Sequence, residues 1–168
     1  MRPSRPYRVA FEHPTQLLAS TFLRALAEDA HVLVWERLSR ESRGLLEGSY
    51  AAAAHIALHR AAAVEADAGD ARLAEVVAPV RRSALSIVGG PDKLLSLGVS
   101  AARLVDRGSA YVLLLPEFGE ERIVAEADWR PAHLLGFVYE SREWLVDLGR
   151  TAELSADAEL PDPLGLIR

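Results

Sequence analysis

The stretch from Ser109 to Gly149 constrains the fold more than any other part of this chain. Ala110-Tyr-Val-Leu-Leu-Leu115 is an apolar run that stops at Pro116, and Arg122-Ile-Val-Ala-Glu126 is a second after a short acidic connection. Leu134-Leu-Gly-Phe-Val-Tyr139 is a third. Runs of this length, rich in β-branched and aromatic residues and separated by turn signals, predict strands. Three in succession with short connections predict an antiparallel meander. An amphipathic helix, Arg142 to Leu148, is expected to close it, with Tyr139, Trp144, Leu145 and Leu148 in the core.

Upstream, Tyr7-Arg-Val-Ala-Phe11 has strand character. Pro14 suits the first turn of a helix, and Leu18, Phe22, Ala25 and Leu26 share one helical face. His31-Val-Leu-Val-Trp35 is expected to be a buried strand, so residues 7–35 read as a β-α-β unit. Ser39 is the expected N-cap of a long helical stretch reaching Val64, with Gly48 a place where it could break. Ala66-Asp-Ala-Gly-Asp70 reads as a loop. Residues 80–88 fit either a helix bracketed by Pro79 and Gly89 or a short buried strand, and the punctuation favours the helix. Pro91 is expected to open a further helix carrying Leu94, Leu97, Ala101 and Leu104. These elements predict a mixed α/β fold, with α+β as the alternative: a sheet of about five strands (7–11, 31–35, 110–115, 122–126 and 134–139) with helices packed on it. A single domain is expected over residues 1–150, with residues 151–168 as an acidic, extended tail ending in apolar residues.

At 168 residues the chain can bury a core without covalent or metal staples. It has no cysteine, which excludes disulfides, thiolate metal sites and thiol nucleophiles, and it suits a reducing, cytoplasmic setting. A formal net charge of -5 opposes a dedicated nucleic-acid binder, which needs a basic face. Arg2, Arg5 and Arg8 are a local exception. Glu12, His13 and Pro14 interrupt any signal-peptide-like run behind them, and no stretch reaches the ~20 apolar residues of a membrane span.

Candidate chemistry is sparse. His55 and His59 lie four apart, so a continuous helix would put both imidazoles on one face, where they could share a metal. Ile56 stands where a zinc-protease helix has its glutamate, and the plainer reading is two polar residues on an alanine-rich helix. Gly89, Gly90 and Lys93 could cradle an anion before a helix, although they lack P-loop spacing and also read as a simple turn. Glu117, Glu120 and Glu121 could act as an acid–base pair only if their environments separated them, they fit a solvated strand connection better, and with Trp129 and Arg130 they are the candidate interaction residues. Trp129 and Arg130 lie in a connection that could anchor a partner, and Trp129 reads equally well as a partly buried lid over the sheet edge. No G-x-S-x-G elbow is present.

Two partial resemblances rest on element order. Ala110 to Arg150, with Tyr111-Val-Leu-Leu-Leu115 and Leu135-Gly-Phe137, resembles the C-terminal half of roadblock-type regulatory domains. Residues 7–64 look like the start of the small accessory subunit of the tRNA threonylcarbamoylation complex. Each covers under half the chain. The functional expectation is a non-enzymatic regulatory or scaffolding domain that acts through protein contacts with a partner or with itself as a homodimer. The alternatives are a small-ligand or metal-binding sensory or enzymatic domain, with no other cofactor, and an accessory RNA-binding subunit using Arg2, Arg5 and Arg8.

Overall fold

The computed structural model describes residues 12–62, 71–116 and 130–165. The expected strands at 7–11 and 122–126 lie outside these residues. The fold is mixed α/β, with helices packed on a five-stranded antiparallel sheet. The helices of the first half are α1 (Pro14–Ala27), α2 (His31–Glu36), α3 (Arg40–Ala54), α4 (Leu58–Ala62), α5 (Ala71–Val88) and α6 (Pro91–Ser96). The strands follow as β1 (Gly98–Val99), β2 (Arg103–Asp106), β3 (Ser109–Leu115), β4 (His133–Glu140) and β5 (Glu143–Val146), and α7 (Leu148–Asp157) comes last. The sheet order is β1-β3-β4-β5, with β2 also on β3, and every strand pair is antiparallel.

Several expectations are corrected, each for a physical reason. Residues 31–35 are helical, not a strand. The exposed carbonyls at the end of α2 are bonded by a side chain from α3: Arg43 Nε donates to Trp35 O and Leu38 O, and Nη2 donates to Glu36 O. A terminus satisfied in this way lets a β-branched run stay helical against its propensity. The β-α-β unit expected at residues 7–35 therefore loses its second strand. The helix from Pro91 ends at Ser96, and Arg103 to Asp106 is a strand exposed at every position. The 3-4-3 spacing of Leu94, Leu97, Ala101 and Leu104 does not reflect one helix. Residues 80–88 are helical, and α5 runs through Pro79 rather than starting there. The helix expected over residues 142–148 is absent, and only its last residue, Leu148, is helical, as the start of α7: Ser141 and Arg142, both at positive φ, turn β4 into β5 (Glu143–Val146). Nor is the end of the chain an extended tail, since Leu148 to Asp157 is helical and Leu164 is fully buried in the main core.

Strand alternation places the layers. Val112, Leu114, Leu135, Phe137 and Val146 enter the core formed with α1, α2 and α5. Gly136 must then face the other way, towards α7. A Cβ at Gly136 would sit 2.8 Å from the Thr151 amide nitrogen, so only glycine allows this approach. Thr151 Oγ1 accepts from the Gly136 amide at 2.9 Å and donates to Asp147 O at 2.7 Å. Beyond α7 the chain returns to the helical layer. His133 Nδ1 meets Pro161 O at 3.1 Å, Leu164 enters the core, and Ser83 on α5 bonds Gly165 O.

The helical half is joined to the sheet beside β5. Leu38 forms a parallel bridge to Val146: Val146 N donates to Arg37 O and Ser39 N donates to Val146 O, both at 2.8 Å. Ser39 caps α3 and Asp147 caps α7. Ser39 Oγ donates to Asp147 Oδ2 at 2.5 Å, and Leu148 N donates to Ser42 Oγ at 2.8 Å. Two helix N-termini therefore share one buried cluster of side chains. Replacing Asp147 with Ala should lower stability by about 3 kcal/mol, because it removes a cap and strands buried hydroxyls. Replacing Gly136 with Ala should cost about 1–3 kcal/mol by overpacking. Urea denaturation midpoints measure both.

Candidate functional site

A groove of about 540 Å³ lies between the start of α1 and the β4–β5 hairpin. Pro14, Leu17, Leu18 and Thr21 form the helical wall, and Tyr139 and Trp144 form the sheet wall. Arg37, Arg142 and Glu143 line it as well. The helix wall is held by its own cap. His13 Nδ1 accepts from Thr15 N at 3.4 Å, and Gln16 Oε1 accepts from His13 N at 3.0 Å. Gln16 is buried, and its Nε2 donates to Ser100 O at 3.0 Å, which ties α1 to the β1–β2 connection.

The sheet wall is an aromatic row. Trp144 meets His13 edge-on with ring centroids 5.2 Å apart, and Tyr139 packs on its other side at 5.3 Å. Tyr139 is 48% exposed and Leu17 is 56% exposed, so the row and its helical neighbour face solvent. Tyr139 is thus corrected from core to groove wall. Trp144 lies on β5 rather than on a helix, half-buried against the core. The Arg37 and Arg142 side chains make no hydrogen bond or ion pair among the described residues.

The edge of β5 adds main-chain groups. Glu140 pairs with Glu143 and Tyr139 with Trp144 around a two-residue turn. In that register the amides and carbonyls of Trp144 and Val146 point away from β4. Val146 spends both on Arg37 and Ser39, while those of Trp144 bond to nothing among the described residues. On the opposite face of this edge lies a second groove of about 570 Å³, lined by Arg40, Gly44 and Glu47 of α3 and by Ser141 and Leu145 of the hairpin, among others. Neither groove holds a nucleophile paired with a base, and no group of three or more metal-ligating side chains occurs among the described residues.

The residues singled out from sequence lie elsewhere. Helix α3 ends at His55, whose φ of 53° is left-handed, and His59 belongs to the separate α4. The two imidazoles therefore do not share one helical face. Gly89 and Gly90 both donate their N–H groups to Leu85 O, closing α5, so these groups are not free to cradle an anion before Lys93. Arg130 is exposed. Trp129, Glu117, Glu120 and Glu121, like Arg2, Arg5 and Arg8, lie outside the described residues. Among the described residues no helix is long and apolar enough to cross a membrane.

One carboxyl titrates unusually. Burial holds Asp162 above the ordinary carboxylate range, against the opposing pull of the Leu164 and Gly165 amides and of His133. The folded chain therefore keeps this proton to higher pH than the unfolded chain. The resulting stability is present below the unfolded value of 3.8 and is lost as pH rises through the folded value. Asp162→Asn keeps an oxygen for the Leu164 amide and removes the charge. It should be more stable than the parent at about pH 7 and no more stable at about pH 3, as read by urea midpoints.

No protein-family model, no curated protein and no solved structure matches this chain.

Proposed function

We propose that this chain is a binding domain that acts through protein contacts, and that the groove between α1 and the β4–β5 hairpin is its recognition surface. The observation that carries this reading is the aromatic row of exposed Tyr139 and half-buried Trp144 beside Leu17, flanked by two arginines without partners among the described residues. Aromatic and arginine side chains around a concave apolar floor are the residue types that carry binding energy at protein interfaces. A regulatory or scaffolding role follows from such a surface, with specificity set by what fits the groove.

The test is selection of a displayed random-peptide library on the immobilised full-length chain. Selected peptides should bind Leu17→Glu and Tyr139→Ala variants at least about tenfold more weakly than the parent, a loss of ~1.4 kcal/mol or more. Both sites are exposed, so the thermal midpoint should stay nearly unchanged. Selected peptides that bind parent and variants equally would remove the groove as the recognition surface.

A further inference from the structure

The β4–β5 turn is built against backbone preference. Ser141 has φ 50° and Arg142 has φ 70°. A two-residue hairpin with both central residues at positive φ is a type I′ turn, which strongly favours Asn-Gly or Gly-Gly. Neither residue here is glycine or asparagine, so the hairpin tip carries strain that a simple connector would avoid. Glu140 and Glu143, directly opposite each other at the base of the turn, add like-charge repulsion. Glu140 is partly compensated by accepting from the Arg40 amide at 2.6 Å. The strained turn fixes one cationic side chain, Arg142, at the mouth of the apolar groove, facing the same space as Arg37.

Beside that mouth runs the edge of β5 at Trp144, whose main-chain groups bond to nothing among the described residues, with a groove on each face. A strand laid on such an edge gains main-chain hydrogen bonds and sends alternate side chains to opposite faces. On one face they would meet Leu17, Leu18, Tyr139 and Trp144, and on the other the polar groove beside α3. Resting on the reading of this groove as a protein-contact surface, we propose that β5 accepts an extended peptide segment of a partner protein by strand addition, and that the segment carries alternate apolar side chains and a carboxylate held by Arg37 and Arg142. Charge decides the occupant. Arg37 and Arg142 outnumber Glu143, the one carboxylate that lines the apolar groove among the described residues. The chain's own first eleven residues carry Arg2, Arg5 and Arg8 and a single charge sign, so they do not complement these arginines.

The experiment uses labelled synthetic octapeptides of alternating apolar and polar residues and reads fluorescence anisotropy with the full-length chain. One set contains a single glutamate at successive polar positions, a second has glutamine there, and a third repeats the first with single backbone N-methylations. Glutamate peptides should bind about tenfold more tightly than their glutamine isosteres. Arg37→Ala and Arg142→Ala should each erase most of that difference while leaving glutamine peptides unaffected. N-methylation should abolish binding at the one position that faces Trp144 and be tolerated at its two neighbours. Arg142→Gly sharpens the test, since it should raise the thermal midpoint by relieving the turn and still weaken glutamate peptides. Equal binding of glutamate and glutamine peptides, indifference to N-methylation, or a concentration-dependent dimer dissolved by Leu17→Glu would each overturn the proposal. If no octapeptide binds while library-selected peptides still require Leu17 and Tyr139, strand addition fails and the protein-contact reading stands.

Discussion

The fold depends on the buried cluster of Ser39, Ser42 and Asp147. Among the described residues the chain is divided by type: the helices α1 to α6 lie between Pro14 and Ser96, and the strands lie between Gly98 and Val146. Neither half is covered without the other. Beside β5 the two are stitched by one parallel bridge and by three polar side chains that bond across more than a hundred residues of sequence. Asp147 accepts from Arg150 N with one oxygen and from Ser39 and Ser42 with the other. Its carboxylate lies at the N-termini of both α3 and α7. Because the cluster is buried, its hydrogen bonds act in a low dielectric and hold a specific geometry, not merely a contact.

That geometry controls how much of the sheet edge is left open. Leu38 covers β5 at Val146, and α2 turns away immediately before it. The exposed main chain is limited to the neighbourhood of Trp144. A short edge flanked by charged residues resists indiscriminate association while remaining available to a fitting strand. At the other side of the sheet, β2 is equally short and carries Arg103 and Asp106 at its ends. Cap, bridge and edge are therefore one arrangement, in which the bond that secures the domain also sets the length of its recognition strip.

The parts legible in sequence were those whose signals are local. Strands β3 and β4 are long apolar runs buried almost throughout, and the N-caps at Ser39 and the helix start at Pro14 follow from chemistry within one turn. The five-stranded mixed fold was expected, but with different members. What escaped was decided by distant partners. Helix α2 stays helical with its end bonded by Arg43, and the β4–β5 turn uses Ser141 and Arg142 in place of the residues that announce such turns. The acidic composition after Gly149 concealed an inward stripe of Thr151, Ser155 and, beyond the helix, Leu164. The groove was hidden for the same reason. Its residues come from 14–21, 37 and 139–144, and no spacing along the chain links them.

The pairing of β3 with β4 carries a consequence for how such a domain can be elaborated. Leu114 lies opposite His133, and Ala132 N donates to Leu114 O at 2.8 Å. The sheet itself holds the two ends of the intervening connection together. For a connection with anchored ends, doubling its length adds only about 0.6 kcal/mol of closure entropy. Position 116–130 is thus a natural port for insertion. A whole additional module spliced there would leave the register of β3 on β4 as it is, and the host would have little energetic means of noticing.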